Sequence, residues 1–274
     1  MVDVPPPGSP GAYLLDNRQA EAGQRFDALS SIFDPWTFRH LDDLGIQPGW
    51  RCWEVGAGGP SVPAWLGGRV GPSGRVLATD IDLSWLAPSG DPRELPYEVR
   101  VHDVGHDAAP AEAFDLVHAR LVLVHLPDRD RALETMVGCL KPGGWLLVED
   151  ADPALQPLVC PDETGPEQAL ANRIKTGFRD LLAERGVDLA YGRTLPRHLR
   201  AAGLVGVEAE AYFPVTSPAC NALEAATVEQ LRTRLVAAGL ATDEEIDRHL
   251  ASVFAGRLDL ATSPLVSAWG QRPG

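Results

Sequence analysis

Short apolar runs recur along residues 51–149, separated by longer stretches in which apolar positions have helical spacing. The runs read RCWEV, RVLATD, YEVRV, FDLVHA and WLLVE. Continuous apolar runs of this length are typical of strands that are buried on both faces, and helical segments between strands favour parallel pairing. The pattern therefore predicts an α/β fold built on a parallel sheet.

One helix is well defined between the last two runs. Leu133, Met136, Val137 and Leu140 share one face at helical spacing, and a Pro-Gly-Gly turn follows them. Asp128 stands where an N-cap is needed, because its carboxylate can accept from the first free backbone N–H groups. This order of elements predicts one βαβ crossover unit.

Upstream of the sheet, two consecutive helices are predicted. Phe26, Leu29 and Phe33 have helical spacing, and Asp34-Pro35 then offers an N-cap followed by a residue that suits a first helical turn. We therefore expect one helix to end and another to begin at Asp34.

The last third of the chain predicts two helical insertions, at about 154–190 and 218–260. The segments GLVGVEAEAYFPV and PLVSAWGQRP, which follow the first and second insertion, each predict one more strand. We expect residues 1–48 to form an N-terminal arm with cap helices, and 49–274 to form the main domain that carries both insertions.

Composition narrows the range of functions. The 274 residues are 45% hydrophobic and can bury a sizeable core, and the formal net charge of −14 would repel a nucleic-acid backbone. The four cysteines form no CxxC pair, which favours reduced thiols over a zinc site or a disulfide framework. No apolar run approaches the roughly 18 residues of a membrane span, and the first residues do not resemble a signal peptide. We expect a cytoplasmic protein with neither a nucleic-acid nor a membrane partner.

A glycine turn follows the first apolar run. The segment WEVGAGGPSV places Gly56, Gly58 and Gly59 between a strand end and a helix start. Such turns let backbone N–H groups approach a ligand at the N-terminus of a helix. The dinucleotide-binding fingerprint requires a third glycine at the position of Ser61. The sequence therefore disfavours a nicotinamide cofactor.

The spacing Glu54-x-Gly56-x-Gly58, followed by Asp80 at the end of the second run and Asp103 after the third, resembles the class I S-adenosylmethionine-dependent methyltransferases. The segment FDLVHARLVLVHLPDRDRALETMVGCLKPGGWLLVED is similar to the fourth-strand to fifth-strand region of that family. The resemblance implies a Rossmann-like, doubly wound seven-stranded sheet with helical cap insertions. It also implies S-adenosylmethionine as cofactor and S-adenosylhomocysteine as product.

The resemblance gives each of these residues a role. Gly56 and Gly58 let the chain pass beneath the cofactor without a side-chain clash. Glu54 is expected to orient the cofactor's ammonium, directly or through water, and Asp80 to accept both ribose hydroxyls. Asp103 is expected to accept from the adenine amino group, with a turn or cap role as the alternative.

Three more residues complete the expected cofactor site, namely Val104, Ala119 and Arg120. The magnesium-dependent catechol methyltransferases have an aspartate just after the fourth strand, where this chain has His118-Ala119-Arg120. We therefore expect no metal.

His125 follows the fourth strand by one short turn, at the edge where open α/β sheets bind their ligands. Arg120 and His125 are separated by four residues. This arrangement is similar to the one in small-molecule methyltransferases of the phosphoethanolamine type, in which a tyrosine of an N-terminal helix closes over the site. Tyr13 is the matching tyrosine here. The resemblance implies His125 and Tyr13 as catalytic residues, with His125 accepting a proton. A packing role for His125 is the alternative.

The acceptor is expected in an aromatic pocket between the sheet edge and the helical cap. Its expected lining is Tyr13, Phe33, Trp36, Phe178 and Tyr212. Aromatic walls suit a planar acceptor and attract the sulfonium through their quadrupole. For Phe33 and Phe178, a place in the hydrophobic core is the alternative.

Taken together, these features predict transfer of a methyl group to an O, N or C atom of a small aromatic or heterocyclic metabolite. A homodimer is compatible with this prediction. Two alternatives stay open: a cofactor-binding homologue that cyclises a substrate or regulates without methyl transfer, and a nicotinamide-dependent oxidoreductase.

Overall fold

The computed structural model describes Leu14 and residues 20–86, 94–111 and 113–274. Tyr13 lies outside the described residues. Contacts within the chain define two compact units. The sheet unit comprises Phe33–Ala151, Tyr191–Tyr212 and Leu265–Gly274, and the helical unit comprises Met1–Ile32, Asp152–Ala190 and Phe213–Pro264. The expected insertions at 154–190 and 218–260 fall in the helical unit.

The sheet unit is built on one seven-stranded sheet. Its strands are β1 (Arg51–Val55), β2 (Arg75–Asp80), β3 (Glu98–Val101), β4 (Phe114–Arg120), β5 (Leu140–Ala151), β6 (Val205–Tyr212) and β7 (Leu265–Gln271). Their order is β3-β2-β1-β4-β5-β7-β6. The first five pair in parallel, and β7 runs antiparallel to β5 and β6. This confirms the Rossmann-like α/β fold and every strand that the apolar pattern predicted.

Seven helices accompany the strands in the described part of the chain. They are α1 (Ala20–Asp43), α2 (Ser61–Val70), α3 (Arg129–Gly138), α4 (Pro166–Glu184), α5 (Leu195–Ala201), α6 (Pro218–Ala237) and α7 (Asp243–Phe254). The side chain of Asp128 accepts from the backbone N–H of Arg131, which confirms the expected N-cap of α3, but the helix ends at Gly138 and Leu140, which was expected on its face, begins β5. No helix among the described residues is long and apolar enough to cross a membrane.

The expected helix break at Asp34 is wrong. Helix α1 runs unbroken through Pro35, although a proline inside a helix has no N–H to donate and typically costs about 3 kcal/mol. Asp34 does not cap a new helix, and its carboxylate instead lies 2.9 Å from the guanidinium of Arg120. Thr37 and Leu41, after the proline, are fully buried, so long-range packing outweighs the local signal.

The hydrophobic core of the sheet unit joins α1, α2 and the central strands. Its buried members include Leu41, Cys52, Val62, Leu66, Leu116 and Leu147. Register pairs Cys52 with Leu116, so both side chains point to the same side of the sheet, which we call the α1 face. The four cysteines of the chain are buried and free, as their spacing predicted.

The helical unit buries a charged group of its own. Glu224 of α6 lies 3.2 Å from Nε2 of His249 on α7 and 3.6 Å from Nζ of Lys175 on α4. Burial would raise the pKa of Glu224, but the charges of Lys175 and His249 outweigh it and lower that pKa. The pairing satisfies a carboxylate that is only 4% exposed.

We expect two alanine substitutions in α2 to change stability in opposite directions. A Cβ on Gly67 would lie 2.5 Å from the carbonyl oxygen of Pro96, whereas a Cβ on Gly68 would meet nothing within 4 Å. Gly67→Ala should lower the free energy of unfolding by about 1–3 kcal/mol through overpacking. Gly68→Ala should raise it by about 0.5–1 kcal/mol because alanine favours a helix. Urea unfolding measures both, and equal effects would contradict the close approach of Pro96 to α2.

Candidate functional site

The glycine turn lies at the carboxyl end of β1 and is hydrogen-bonded to the end of β2. Gly56 and Gly58 have φ angles of +61° and +62°, in the left-handed region that favours glycine. The N–H of Gly58 donates to Oδ2 of Asp80 at 2.9 Å, and the N–H of Asp82 donates to Oδ1 at 3.0 Å. The two sequence positions that the resemblance linked are therefore in direct contact.

Asp80 is buried but retains acceptor capacity. Its side chain is 6% exposed. Burial raises the pKa of Asp80, while the backbone N–H groups of Asp82 and Gly58 oppose that shift. A carboxylate has about four acceptor positions, and the backbone N–H groups of Gly58, Asp82 and Ile81 use part of this capacity. The remaining capacity is available to a ligand hydroxyl.

Gly56 is required by the fold as well as by any ligand. A Cβ at this position would overlap Cγ2 of Val122, in the turn that follows β4. The positive φ angle independently disfavours any residue with a side chain. Two constraints therefore act on this glycine before a cofactor is considered.

Asp103 caps its own turn after β3. Its Oδ1 accepts from the N–H of Gly105 at 2.9 Å, and its Oδ2 lies 3.0 Å from Nδ1 of His106. Val104 is buried beside it. This geometry matches the turn role that the sequence left open, and contact of Asp103 or Val104 with adenine stays a prediction.

Arg120 ends β4 and contacts α1. One guanidinium nitrogen donates to Oγ1 of Thr37 at 2.9 Å, and another lies 2.9 Å from Oδ1 of Asp34. Ala119, the preceding residue, is buried. The contacts of the Arg120 guanidinium are thus side chains of α1, and cofactor contact of Ala119 and Arg120 stays a prediction.

His125 ends a single 3-10 turn, Leu123–His125, at the carboxyl edge of the sheet. Its backbone N–H donates to the carbonyl of Val122 at 3.1 Å. Leu121, just before this turn, has a φ of +58°, which costs a non-glycine residue about 1–2 kcal/mol. Strained backbone of this kind clusters at functional sites. The half-buried side chain of His125 stays a predicted proton acceptor.

Three of the expected pocket aromatics come together in the sheet unit. The ring centroid of Tyr212 is 4.3 Å from that of Trp36 and 6.3 Å from that of Phe33. Tyr212 ends β6 at the level where Ala151 ends β5, because both residues pair with Leu265 of β7. This aromatic group therefore lies at the same sheet edge as the glycine turn.

The other two expected pocket residues are not part of this group. Phe178 belongs to the helical unit, where Nζ of Lys175 lies 5.0 Å from its ring centroid. Tyr13 lies outside the described residues. The full aromatic pocket stays a prediction.

A row of polar side chains crosses the α1 face, and the sequence analysis missed it. We call it the polar row. Its members are Glu54 on β1, His118 on β4, Glu149 on β5, Ser267 on β7 and Glu210 on β6. Register pairs Glu54 with His118. It also pairs Ser267 with both Glu149 and Glu210. Paired residues of neighbouring strands point to one face, which brings these side chains side by side.

His118 is the fully buried centre of the polar row. Its Nδ1 lies 2.6 Å from Oε2 of Glu54, and its Nε2 lies 3.3 Å from Oε2 of Glu149. The signal for this contact was present in FDLVHA and WLLVE, where a histidine and a glutamate stand late in otherwise apolar strands. Buried polar side chains need partners, and adjacent strand ends are where they find them.

Glu149 is surrounded by donors. Ser267 donates to Oε1 at 2.6 Å, Thr37 donates to Oε2 at 2.5 Å, and Nδ1 of His40 lies 3.3 Å from Oε1. Burial alone would raise the pKa of Glu149, but its interactions with His118, His40 and Arg120 outweigh burial and hold that pKa below its ordinary range. Glu149 is therefore a carboxylate.

The pKa values of His118 and Glu54, the other two central groups of the polar row, are raised, whereas that of Glu149 is lowered. Burial disfavours a charge on His118, but Glu54 and Glu149 outweigh it and raise the pKa of His118 to about 9. Burial raises the pKa of Glu54, and His118 and Arg120 oppose that shift only in part. Glu54 thus takes up a proton more readily than an exposed glutamate.

No group of three or more His, Cys, Asp or Glu side chains is arranged to hold a metal ion in the part of the chain that the structure describes. The expectation that the reaction uses no metal stays a prediction.

The seven-stranded order with an antiparallel β7 and the glycine turn joined to an acidic residue at the end of β2 agree with the fold that the resemblance to class I methyltransferases implied. Residues 53–148 match the family model described as methyltransferase domain. Residues 53–148 are thus similar to a methyltransferase domain, in agreement with the resemblance that the motifs carry.

Two curated relatives have similar sequences. Methyltransferase str2 of Strobilurus tenacellus is 32% identical over 186 residues, which cover 65% of this chain and 61% of the relative. The ubiquinone/menaquinone biosynthesis C-methyltransferase UbiE of Vibrio parahaemolyticus is 35% identical over 129 residues, 45% of this chain and 50% of the relative. The chain thus spans between half and about three fifths of these relatives.

A solved structure has a similar fold. Phosphoethanolamine N-methyltransferase 2 of Haemonchus contortus, in complex with phosphomonomethylethanolamine and S-adenosylhomocysteine, matches with a TM-score of 0.56 and 17% identity. The match covers 95% of this chain and 59% of that chain. At this identity the similarity supports the fold alone.

We expect a side chain at Gly56 to destabilise the fold, and removal of the Val122 side chain to recover part of the loss. Gly56→Ala should lower the free energy of unfolding by about 2–4 kcal/mol, since steric overlap adds to the cost of a positive φ angle. The double variant with Val122→Ala should show a favourable coupling of about 1 kcal/mol. Gly59→Ala is the control, because a Cβ there meets nothing within 4 Å. Additive effects in the urea double-mutant cycle would contradict the contact.

Proposed function

We propose that this chain transfers a methyl group from S-adenosylmethionine to an O, N or C atom of a small aromatic or heterocyclic metabolite and releases S-adenosylhomocysteine. The hydrogen bond from the Gly58 N–H to Asp80 carries the proposal. It holds a glycine-rich turn against a carboxylate that has spare acceptor capacity. A ligand with a ribose diol fits such a carboxylate.

Within this proposal, different residues of the chain bind different parts of the cofactor. Gly56 and Gly58 pass beneath the cofactor, Asp80 holds the ribose hydroxyls, and Glu54 faces the ammonium. Asp103 is assigned to the adenine end. The remaining assigned contacts are Val104, Ala119 and Arg120.

The cofactor supplies a methyl group on a sulfonium, which is a good leaving group. The protein therefore has to hold the acceptor atom in line and to take up a proton where the acceptor carries one. We assign proton uptake to His125, which stands at the carboxyl edge of the sheet. Tyr13 is assigned to closure over the acceptor.

The aromatic side chains at this edge support the proposed acceptor class. Trp36 and Tyr212 lie at the same edge as the glycine turn, which favours a planar acceptor, while Phe33 is buried beside Tyr212, as its core alternative predicted. UbiE is named for C-methylation in quinone biosynthesis and the Haemonchus protein for N-methylation. These names support a small-molecule acceptor and leave the acceptor atom open.

Incubation with labelled S-adenosylmethionine and a panel of phenols, amines and indoles tests the proposal. Label should pass from the cofactor to at least one class of acceptor, with S-adenosylhomocysteine as the second product. Binding of the cofactor without transfer to any acceptor would instead support a cyclase or a regulator. Tight binding of a nicotinamide cofactor without S-adenosylmethionine binding would support an oxidoreductase.

Asp80→Ala should weaken S-adenosylmethionine binding by about 1.5–3 kcal/mol, because it removes two charge-assisted hydrogen bonds to the ribose. Isothermal titration calorimetry measures the change. Asp42→Ala is the matched control, since it removes a carboxylate from an exposed pair with Arg69 and should leave the affinity unchanged. Equal affinities of the Asp80→Ala variant and the wild type would refute the ribose assignment.

His125→Ala and Tyr13→Phe should each lower turnover with the acceptor found in the panel by about 10–100-fold, while cofactor affinity changes less than about threefold. The double variant should be little slower than the slower single variant, because groups that act as a unit are not additive. Steady-state kinetics and calorimetry separate the two effects. Normal turnover of both single variants would show that His125 packs and that catalysis rests on positioning alone.

A further inference from the structure

We propose that His118 is a positioning residue for Glu54. Held as an imidazolium between Glu54 and Glu149, it fixes the Glu54 carboxylate at the end of β1, and binding of the cofactor's ammonium beside Glu54 displaces a proton from Glu54 into solvent. The inference rests on the proposed assignment of Glu54 to that ammonium.

The hydrogen-bond directions around Glu149 are set by Arg120. Its guanidinium donates to Oγ1 of Thr37 at 2.9 Å, and an arginine side chain has no acceptor. Thr37 therefore has its own hydroxyl proton available for Glu149, at 2.5 Å. Ser267 donates to the other carboxylate oxygen at 2.6 Å. A carboxyl group with a donor on each oxygen is stabilised in its ionised form.

The ring of His118 then needs both of its protons. Nδ1 and Nε2 each face a carboxylate oxygen, at 2.6 Å and 3.3 Å. A neutral imidazole has a single N–H, so one ring nitrogen would direct its lone pair at a carboxylate oxygen. When Glu54 and Glu149 are both ionised, a doubly protonated ring is the form that satisfies both neighbours. The raised pKa of His118, about 9, agrees with this form.

The balance of buried charges explains why Glu54 is the group that releases a proton when the cofactor binds. Two carboxylates and one imidazolium leave one negative charge without a partner, since Arg120 is paired with Asp34 at 2.9 Å. Glu149 has three hydrogen-bonding neighbours, namely Thr37, Ser267 and His118, so the uncompensated charge falls on Glu54, which is 2% exposed. The positive charge of an ammonium beside Glu54 offsets the unpaired negative charge only when Glu54 is ionised. A protonated Glu54 must therefore lose its proton on binding.

Charged or titratable groups lie near His118 on the neighbouring strands and on α1. These groups are Glu54 on β1, Arg120 on β4, Glu149 on β5, and Asp34 and His40 on α1, and Arg39 and Glu210 form a pair further along the polar row. His40 lies 3.3 Å from Glu149 and 3.6 Å from Glu210. The side chain of Glu210 is 43% exposed, so the polar row reaches from the buried His118 to solvent.

The charge of His118 is tested first in the protein without cofactor. Nitrogen-15 NMR of protein labelled in its histidine rings should show both nitrogens of His118 protonated at pH 7. Loss of the signals in His118→Asn assigns them, and their shift in Glu54→Gln assigns them if the first variant does not fold. A neutral His118 ring at pH 7 would overturn the proposal.

The proton release is tested by titrating S-adenosylhomocysteine, which binds without reacting, between pH 5.5 and 8.5. Calorimetry in buffers of different ionisation enthalpy counts the protons. The wild type should release a proton at the acid end, and its affinity should rise by up to about 10-fold per pH unit until Glu54 is ionised in the free protein. In Glu54→Gln, affinity should be lower and independent of pH over this range, with no proton released.

His118→Asn should move the rise in affinity to higher pH by about 1 unit or more, because Glu54 loses the positive charge that opposes its protonation. His198→Asn, which changes a surface histidine paired with Asp130, should leave the profile unchanged. A uniform loss of affinity at every pH in His118→Asn would show a merely structural role and overturn the proposal. Absence of binding by the wild type would refute the proposed function, while the NMR result would still report the charge of His118.

Discussion

The contact of His118 with two buried carboxylates constrains the centre of this molecule. It joins the carboxyl ends of β1, β4 and β5 through distances of 2.6 Å and 3.3 Å. Removing one partner of a buried charged group leaves the others uncompensated, which typically costs about 3–5 kcal/mol. These three strands must therefore keep their relative register. Helix α1 covers the same groups, since Thr37 and His40 lie against Glu149 and both His118 and Glu149 are fully buried.

The continuity of α1 follows from this constraint. Thr37 satisfies Glu149 and Arg120 together, and His40 lies one turn further along the same helix. A helix that ended at Asp34 would leave these groups without their partners. The energy of those buried bonds is comparable to the roughly 3 kcal/mol that Pro35 costs. The proline is therefore tolerated because the helix is held by long-range contacts.

The features that depend on local sequence patterns could be predicted from the sequence, and those that depend on long-range contacts could not. Strands such as RCWEV and the N-cap at Asp128 depend on local patterns, and both were predicted. The contact between Glu54 and His118 depends on which strands are neighbours and on their register, which no short segment encodes. Asp103 is an intermediate case, since its turn geometry is local while an adenine contact is not. The helical unit, assembled from three separate segments, likewise depends on contacts between residues far apart in the chain.

The segment after β4 connects the glycine turn to the predicted base. The N–H of Leu121 donates to the carbonyl of Glu149 at 2.7 Å, which fixes the start of the segment despite its positive φ angle. Val122 then packs against Gly56, and its carbonyl accepts from the N–H of His125. Only two residues separate Val122 from His125, so a displacement of one moves the other. Gly56 thus contacts the same short segment that carries His125, so the absence of a side chain at Gly56 bears on the predicted cofactor site and on the predicted base together.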